Sequence, residues 1–81
     1  MYLRHLGKEI ATRRAARKLS LRQAAALTGL SHQAIHNAEH GETSFESALK
    51  IAKALGTGPK DLIALAVADA TDMAKSAAAK G

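Results

Sequence analysis

The chain has 81 residues and a formal net charge of +5, which allows one domain with a small core and leaves no room for a catalytic cleft on a separate scaffold. Apolar residues make up 47% of the chain, yet nineteen of them are alanine and only two residues are aromatic. This composition favours close-packed helices over a β-sheet, and the lack of cysteine excludes disulfides and thiolate metal sites. No apolar run is long enough to span a bilayer and no signal peptide is apparent, so we expect no membrane association and a cytoplasmic location.

The first predicted helix carries most of the positive charge. Leu3, Leu6, Ile10 and Arg14 are spaced three, four and four residues apart, which predicts a helix with this stripe facing inward. Residues 1–22 contain seven basic side chains and one acid, whereas the rest of the chain contains five basic and six acidic ones. One basic end suits a polyanion such as DNA, although a solvated basic helix has the same pattern.

The stretch that follows predicts two short helices around a tight turn. Ser20 and Gln23 have the spacing of a capping box, and good helix formers continue as far as Gly29. Glycine takes the left-handed conformation that ends a helix, and Ser31 is then placed to cap a second helix that ends at Gly41. Two short helices joined this closely cross steeply, which predicts a helix-turn-helix whose second helix enters the DNA major groove.

This stretch resembles the helix-turn-helix of the Cro/CI repressors, also called the XRE family. Similar members have Ser-Leu-Arg-x-Leu-Ala, then Gly-Leu-Ser, and later an Ile and a Glu before a Gly. The matching residues here are Ser20, Leu21, Arg22, Ala25, Gly29, Leu30, Ser31, Ile35, Glu39 and Gly41. The resemblance extends from Leu6 to about Ile63 and implies an all-α fold, a compact five-helix domain similar to that of the lambda repressor. In similar repressors an arginine of the first helix pairs with a glutamate at the end of the second motif helix, which implies a structural ion pair between Arg14 and Glu39.

The second helix of the motif supplies the candidate base contacts. The residues expected at base edges, on a helix predicted over residues 32–40, are His32, Gln33, Ala34, His36 and Asn37. The amides of Gln33 and Asn37 can each form two hydrogen bonds with adenine, and Ala34 is small enough to contact a thymine methyl. A polar face is the default for an isolated helix, but the framing motif favours base contact.

Phosphate contacts are expected around the start of each motif helix. Ser20 and Arg22 lie at the beginning of the first motif helix, and Ser31 begins the second. Backbone amides at a helix N-terminus bind phosphate well, because they point outward from the positive end of the helix dipole. Arg17, just before the motif, is a further candidate for a phosphate contact.

Three histidines, His32, His36 and His40, recur four residues apart and resemble a metal-binding stripe. Because a helix rises about 1.5 Å per residue, His32 and His40 are too far apart to share one ion. A site built from two of them would need further ligands, and the chain has no cysteine to supply them. We therefore expect no metal and no other cofactor.

Two more helices are predicted in the second half of the chain. Thr43 and Glu46 have capping-box spacing, which predicts a fourth helix that runs to Leu55. Pro59 suits the first turn of a fifth helix, because its missing N–H has no partner there in any case. Ile63 is among the apolar residues of that helix expected to close the core.

The division of the chain follows from these elements. We expect residues 1–66 to form the helix-turn-helix DNA-binding domain and residues 67–81 to form a C-terminal helical extension or tail. The tail is alanine-rich with scattered charges, so it either extends the fifth helix or frays. As in many relatives, the fifth helix and residues 67–73 are the candidate dimerisation element.

The function that these observations favour is sequence-specific DNA binding by a transcriptional regulator. We expect a repressor that binds a palindromic double-stranded DNA operator as a homodimer. The alternative is an antitoxin, which would bind a toxin as protein partner and regulate its own operon. An enzyme is not expected, because no carboxylate dyad, nucleophile–base pair or phosphate-binding loop is apparent.

Overall fold

Five helices make up the part of the chain that the structure describes. The computed structural model describes residues 2–80, with side chains described for residues 2–77. The helices are α1 (Arg4–Ala16), α2 (Leu21–Thr28), α3 (His32–Glu39), α4 (Phe45–Ala54) and α5 (Pro59–Lys80). The prediction of an all-α helix-turn-helix fold is confirmed, and the described helices include none that is long and apolar enough to cross a membrane.

The predicted starts of both motif helices and the predicted end of the first are confirmed, whereas the second ends at Glu39, one residue before its predicted limit. The amide of Gln23 donates to Ser20 Oγ at 3.1 Å, and the amide of Ser20 donates to Gln23 Oε1 at 2.7 Å, which completes the capping box. Gly29 ends α2 with a φ of 74°, in the left-handed region that favours glycine. Ser31 then begins α3 by accepting a hydrogen bond from the amide of Ala34 at 3.1 Å.

The predicted start of α4 is wrong by one residue. Ser44, not Thr43, caps this helix, and its Oγ accepts a hydrogen bond from the amide of Ser47 at 3.2 Å. Two adjacent hydroxyls can each cap a helix, so spacing to Glu46 alone does not decide between them. Glu46 remains in the first turn, where its charge complements the helix dipole.

The core lies where α1 crosses the other helices. Its largest fully buried apolar side chains are Leu3, Leu6, Ile10, Ile35, Ile51 and Leu55. Gly7 allows α1 to lie directly against the end of α3, since a Cβ atom there would be 2.8 Å from the carbonyl oxygen of Ala38 and 3.0 Å from that of Glu39. The second motif helix is therefore positioned by backbone contact as well as by side chains.

The prediction that Ile63 closes the core is wrong, because this side chain is 66% exposed. Leu62 and Leu65, which were expected at the core together with Ile63, do pack against it, and so does Met73. In a helix that turns about 100° per residue, this register leaves Ile63 and Val67 on the outer face.

The long helix α5 continues across the expected boundary at residue 66 and packs against α1 and α4. Asp69 is completely buried, and its two carboxylate oxygens accept the amides of His5 and Leu6, each at 2.9 Å. The side chain of Leu3, which precedes α1, cannot accept hydrogen bonds. Asp69 therefore caps α1 from a distant part of the chain, and the extension is integral to the fold.

Candidate nucleic-acid interface

The second motif helix, α3, has one buried face and one exposed face. Ile35 and Ala38 are fully buried and hold α3 against α1, α2 and α4. On the opposite face the polar candidates for base contact are all exposed: His32, Gln33, His36 and Asn37. Ala34 is partly buried at the edge of that face. The predicted base-contacting residues thus share one accessible surface.

Two of these residues are joined to each other. Gln33 Nε2 donates a hydrogen bond to Asn37 Oδ1 at 3.0 Å, one helical turn away. Gln33 keeps its Oε1 and a second N–H, which are the acceptor and donor needed to bond adenine. Asn37 therefore holds the Gln33 amide in place without consuming the groups that would meet a base, which reduces the side-chain entropy lost on binding.

The start of each motif helix presents a serine and exposed backbone amides. Ser20 and Ser31 are both exposed, and each uses its Oγ as the acceptor of a capping bond. A hydroxyl that accepts in this way can still donate its hydrogen to a phosphate oxygen. Arg22 is exposed in the first turn of α2, beside Ser20. These three side chains lie at the positive ends of two helix dipoles, where anions are favoured.

Arg17 is also exposed but has a neighbour within the protein. Its Nη1 donates to the carbonyl oxygen of Ala54 at 3.4 Å, at the C-terminal end of α4. A cation is favourable there because it complements the negative end of the α4 dipole. Among the four candidates for phosphate contact, Arg17 is therefore the one whose side chain is directed toward another helix.

The histidine stripe does not gather its three members at one point. The rings of His36 and His40 lie 4.4 Å apart between centroids, with an angle of 34° between their planes. His40 Nδ1 donates to the carbonyl oxygen of His36 at 2.8 Å, so this nitrogen is already bonded to its own helix. Within the described residues, the group with metal-ligand spacing is His5, Asp69 and Asp72. There Asp69 bonds two helix amides, which explains its position without an ion.

Arg14 and Glu39 lie together beneath the end of α3. Arg14 Nη2 donates to Glu39 Oε1 at 3.0 Å, Nε donates to Oε2, and Nη1 donates to the carbonyl oxygen of Leu19 at 2.9 Å. The hydrogen bonds that Arg14 donates to Glu39 outweigh burial and raise the pKa of the Arg14 guanidinium above its ordinary value, so it stays charged. Because the pair joins α1 to the last residue of α3, it fixes the orientation of the helix that carries the candidate base contacts.

A second polar cluster joins the two ends of the chain and was not predicted. Asp72 Oδ2 lies 3.0 Å from both Arg4 Nη2 and His5 Nε2, beside the buried Asp69. One signal was present in the sequence, since Leu62, Leu65, Asp69 and Met73 have the same three, four, four spacing that placed Arg14 on the inner stripe of α1. An acid on such a stripe requires donors, as a buried arginine requires acceptors.

Comparison with known proteins agrees with this arrangement. A family model described as helix-turn-helix matches residues 10–62, which is more than half of the chain. No curated protein and no solved structure gave a significant match. The matched region contains both motif helices with their caps, the Arg14–Glu39 pair and α4. The chain thus belongs to the Cro/CI (XRE) family of helix-turn-helix proteins, which are DNA-binding transcriptional regulators.

Proposed function

We propose that this regulator is a repressor that binds a palindromic operator as a homodimer. The observation that carries the proposal is the exposed Gln33–Asn37 pair on α3, in a motif whose two helices both begin with a capping serine. One helix of this length meets too few base pairs to define a site. A two-fold dimer would place two such helices about 34 Å apart, one turn of DNA.

The proposed contacts divide into two kinds. Gln33 and Asn37, with His32, Ala34 and His36 around them, read base edges. The phosphates on either side are held by Ser20, Arg22, Ser31 and Arg17. Residues 1–66 contain all of these contacts and act as the DNA-binding domain, with α1 capped by Asp69 from the extension. Residues 67–81 supply part of the dimer contact, and the homodimer on operator DNA is the proposed complex.

The outer face of α5 supports the dimer. Ile63 and Val67, one helical turn apart, are 66% and 58% exposed. Ala70 and Ala74 continue the same exposed stripe. The expectation that the whole of residues 67–73 makes this contact needs correction, since Asp69 is buried against the protein's own α1. We therefore assign the interface to the exposed stripe alone, and Val67→Glu should shift a dimer to monomer in light scattering while leaving the helical content unchanged.

The exposed stripe of α5 also supports the alternative function, an antitoxin. In that case a toxin, rather than a second copy, would cover Ile63 and Val67. Sedimentation of the protein purified from its native host separates the two alternatives. A dimer mass with Val67-dependent association supports the repressor, whereas a stoichiometric second protein lost in Val67→Glu supports the antitoxin.

The DNA contacts are tested by comparing two variants on two kinds of DNA. After selection of a bound site from random duplexes, Gln33→Ala should lose about 1–3 kcal/mol on the selected site and almost nothing on random DNA. Arg22→Ala should weaken both kinds of DNA alike and lower the salt slope by about one unit, because it removes a phosphate contact. Equal losses for Gln33→Ala on both duplexes would mean that α3 does not read the sequence.

Salt dependence gives an independent check of the phosphate contacts. A dimer that touches about 6–10 phosphates should lose roughly a thousandfold or more in affinity between 50 and 200 mM salt. A log–log slope near zero would contradict phosphate-dominated binding, whatever the result for Gln33.

A further inference from the structure

An open apolar groove of about 340 Å³ runs between α4 and α5. Its walls are Leu49 on α4 and Leu62, Ile63 and Ala66 on α5, with Pro59 at one end. Leu49 and Leu62 also pack against the core, so the floor of the groove is a fixed part of the fold. The volume lies at the lower end of the range for small-molecule sites, which are mostly apolar with a few polar groups at the edge.

The polar groups at this edge are two lysines. Lys50 and Lys53 line the groove, are three residues apart on α4, and are both exposed. In the part of the chain whose side chains are described, the ion pairs join Arg4, His5, Arg13 and Arg14 to acids and include neither lysine. The surface of the groove is almost entirely apolar, so Lys50 and Lys53 line it with their methylene chains and carry their charge at its exposed mouth. An apolar floor with two cationic side chains at its mouth fits a ligand that has one anionic head and an apolar tail.

The length of the groove limits the tail. Pro59 and Ala66 are seven residues apart on α5, which corresponds to about 10 Å along the helix axis. This is about the extended length of an eight-carbon alkyl chain. A second copy of this protein fits the edge less well, because it carries the same net charge of +5 and would approach two cationic side chains there.

We propose that the α4–α5 groove binds a medium-chain carboxylate with an unbranched tail of about eight to ten carbons. The tail lies along Leu49, Leu62 and Ile63, and the carboxylate meets Lys50 and Lys53. Ile63 belongs both to the groove and to the exposed stripe of α5, so ligand binding lowers the dimer fraction. That regulatory step rests on the proposed dimeric repressor, whereas binding itself does not.

The test titrates the full chain with hexanoate, octanoate and decanoate below their micelle concentrations, followed by NMR. Saturable shifts are expected at Leu49, Leu62 and Ile63, and Kd should fall about two- to fourfold for each added methylene. Decyltrimethylammonium, which has the same tail and the opposite charge, should bind about tenfold more weakly than decanoate.

Matched variants locate the head group. Lys50→Gln with Lys53→Gln should weaken decanoate about fivefold, whereas Lys75→Gln, an exposed lysine on α5 outside the groove, should leave Kd unchanged. Equal binding of the anion and the cation, or an unchanged Kd in the double variant, would overturn the assignment. If the NMR signals of the groove residues shift with protein concentration and not with decanoate, a second copy occupies the groove. That result also overturns the assignment.

The regulatory step has its own measurement. Saturating decanoate should lower the dimer fraction in sedimentation, and binding with an unchanged dimer fraction would overturn this step. Because the titration contains no DNA, decanoate binding by a protein that shifts no duplex would refute the repressor and leave the groove assignment intact. A protein that binds its operator but not decanoate would refute the groove assignment and leave the repressor intact.

Discussion

The helix-turn-helix and the α1–α5 contact are held together in different ways. In the motif, each helix begins with a serine that bonds an amide three residues later, so its ends depend on neighbours in the chain. Where α1 meets α5, the bonded groups are 63 to 68 residues apart. The limits of the motif helices therefore follow from local preferences, whereas the α1–α5 contact exists only when the whole domain is folded. Perturbing each region separately shows how strongly the proposed DNA-reading surface of α3 depends on the α1–α5 contact.

The largest effect is expected at Asp69. Asp69→Ala leaves the amides of His5 and Leu6 buried without acceptors and opens a space in the core. Each unsatisfied group costs about 1–3 kcal/mol, so the variant should lose about 4 kcal/mol of unfolding free energy. A domain of this size has total stability of only about 4–12 kcal/mol, and the variant should be close to unfolded at 37 °C.

Chemical denaturation followed by circular dichroism measures this loss. Asp69→Asn, which keeps the shape but replaces one acceptor by a donor, should fall between the wild type and Asp69→Ala. Asp61→Ala, an exposed acid on the same helix, should change stability by less than about 0.5 kcal/mol. If Asp69→Ala also changes the unfolding free energy by so little, the cap that Asp69 provides for α1 is dispensable.

Arg14 and Asp69 show which parts of the structure could be predicted. Both lie on apolar stripes with the same spacing, and both bond groups on a distant helix. The role of Arg14 was found because the family resemblance supplied its partner, Glu39. Asp69 was missed because alanines on every side weaken the contrast between the faces of α5. The close approach at Gly7 had no signal in the sequence, since the opposing groups are backbone atoms of α3.

The second prediction concerns the pair that orients α3. Arg14→Ala leaves the Glu39 carboxylate, which is 11% exposed, without its partner. Removing one member of a buried pair costs about 3–5 kcal/mol, and partial exposure of this pair places the expected loss near 3 kcal/mol. Operator affinity should fall further than stability alone explains, because the end of α3 is no longer fixed to α1.

Two controls accompany this measurement. Arg13→Ala, next in the chain and 39% exposed, breaks only an i, i+4 pair with Glu9 and should cost about 0.5 kcal/mol. Arg14→Met combined with Glu39→Met removes both charges and should recover much of the stability. If the double variant is no more stable than Arg14→Ala, packing of the arginine and not its charge is what matters.

The third prediction is pH dependence at Glu9, which joins α1 to the α4–α5 loop. The hydrogen bond that Arg13 donates lowers the pKa of Glu9 below its ordinary value of 4.5. Burial of the carboxylate opposes this shift, and a hydrogen bond from Thr57, whose Oγ1 lies 2.9 Å away, adds to it. A folded-state pKa below the unfolded one adds stability above pH 4.5 that disappears as the pH falls through the folded value. Glu9→Gln should therefore be less stable than wild type by about 1 kcal/mol at pH 7, with the gap closing toward pH 3. Thermal melts of both proteins across this range measure it, and a gap independent of pH would exclude the ionised carboxylate as its source.

The smallest expected effect compares the ends of two consecutive helices. α2 ends at Gly29, where a φ of 74° suits glycine, whereas the turn after α1 contains Lys18 with a φ of 54°. A side chain costs about 1–2 kcal/mol in this left-handed conformation, and glycine loses about 0.5–1 kcal/mol more conformational entropy on folding. Lys18→Gly should therefore gain about 0.5–1 kcal/mol, which raises the Tm by roughly 2–8 °C in a domain of this size. Lys18→Ala removes the same charge and keeps the Cβ atom, so it should show no gain. Stabilisation of both variants alike would assign the effect to relief of charge repulsion in the basic N-terminal segment, and not to the backbone.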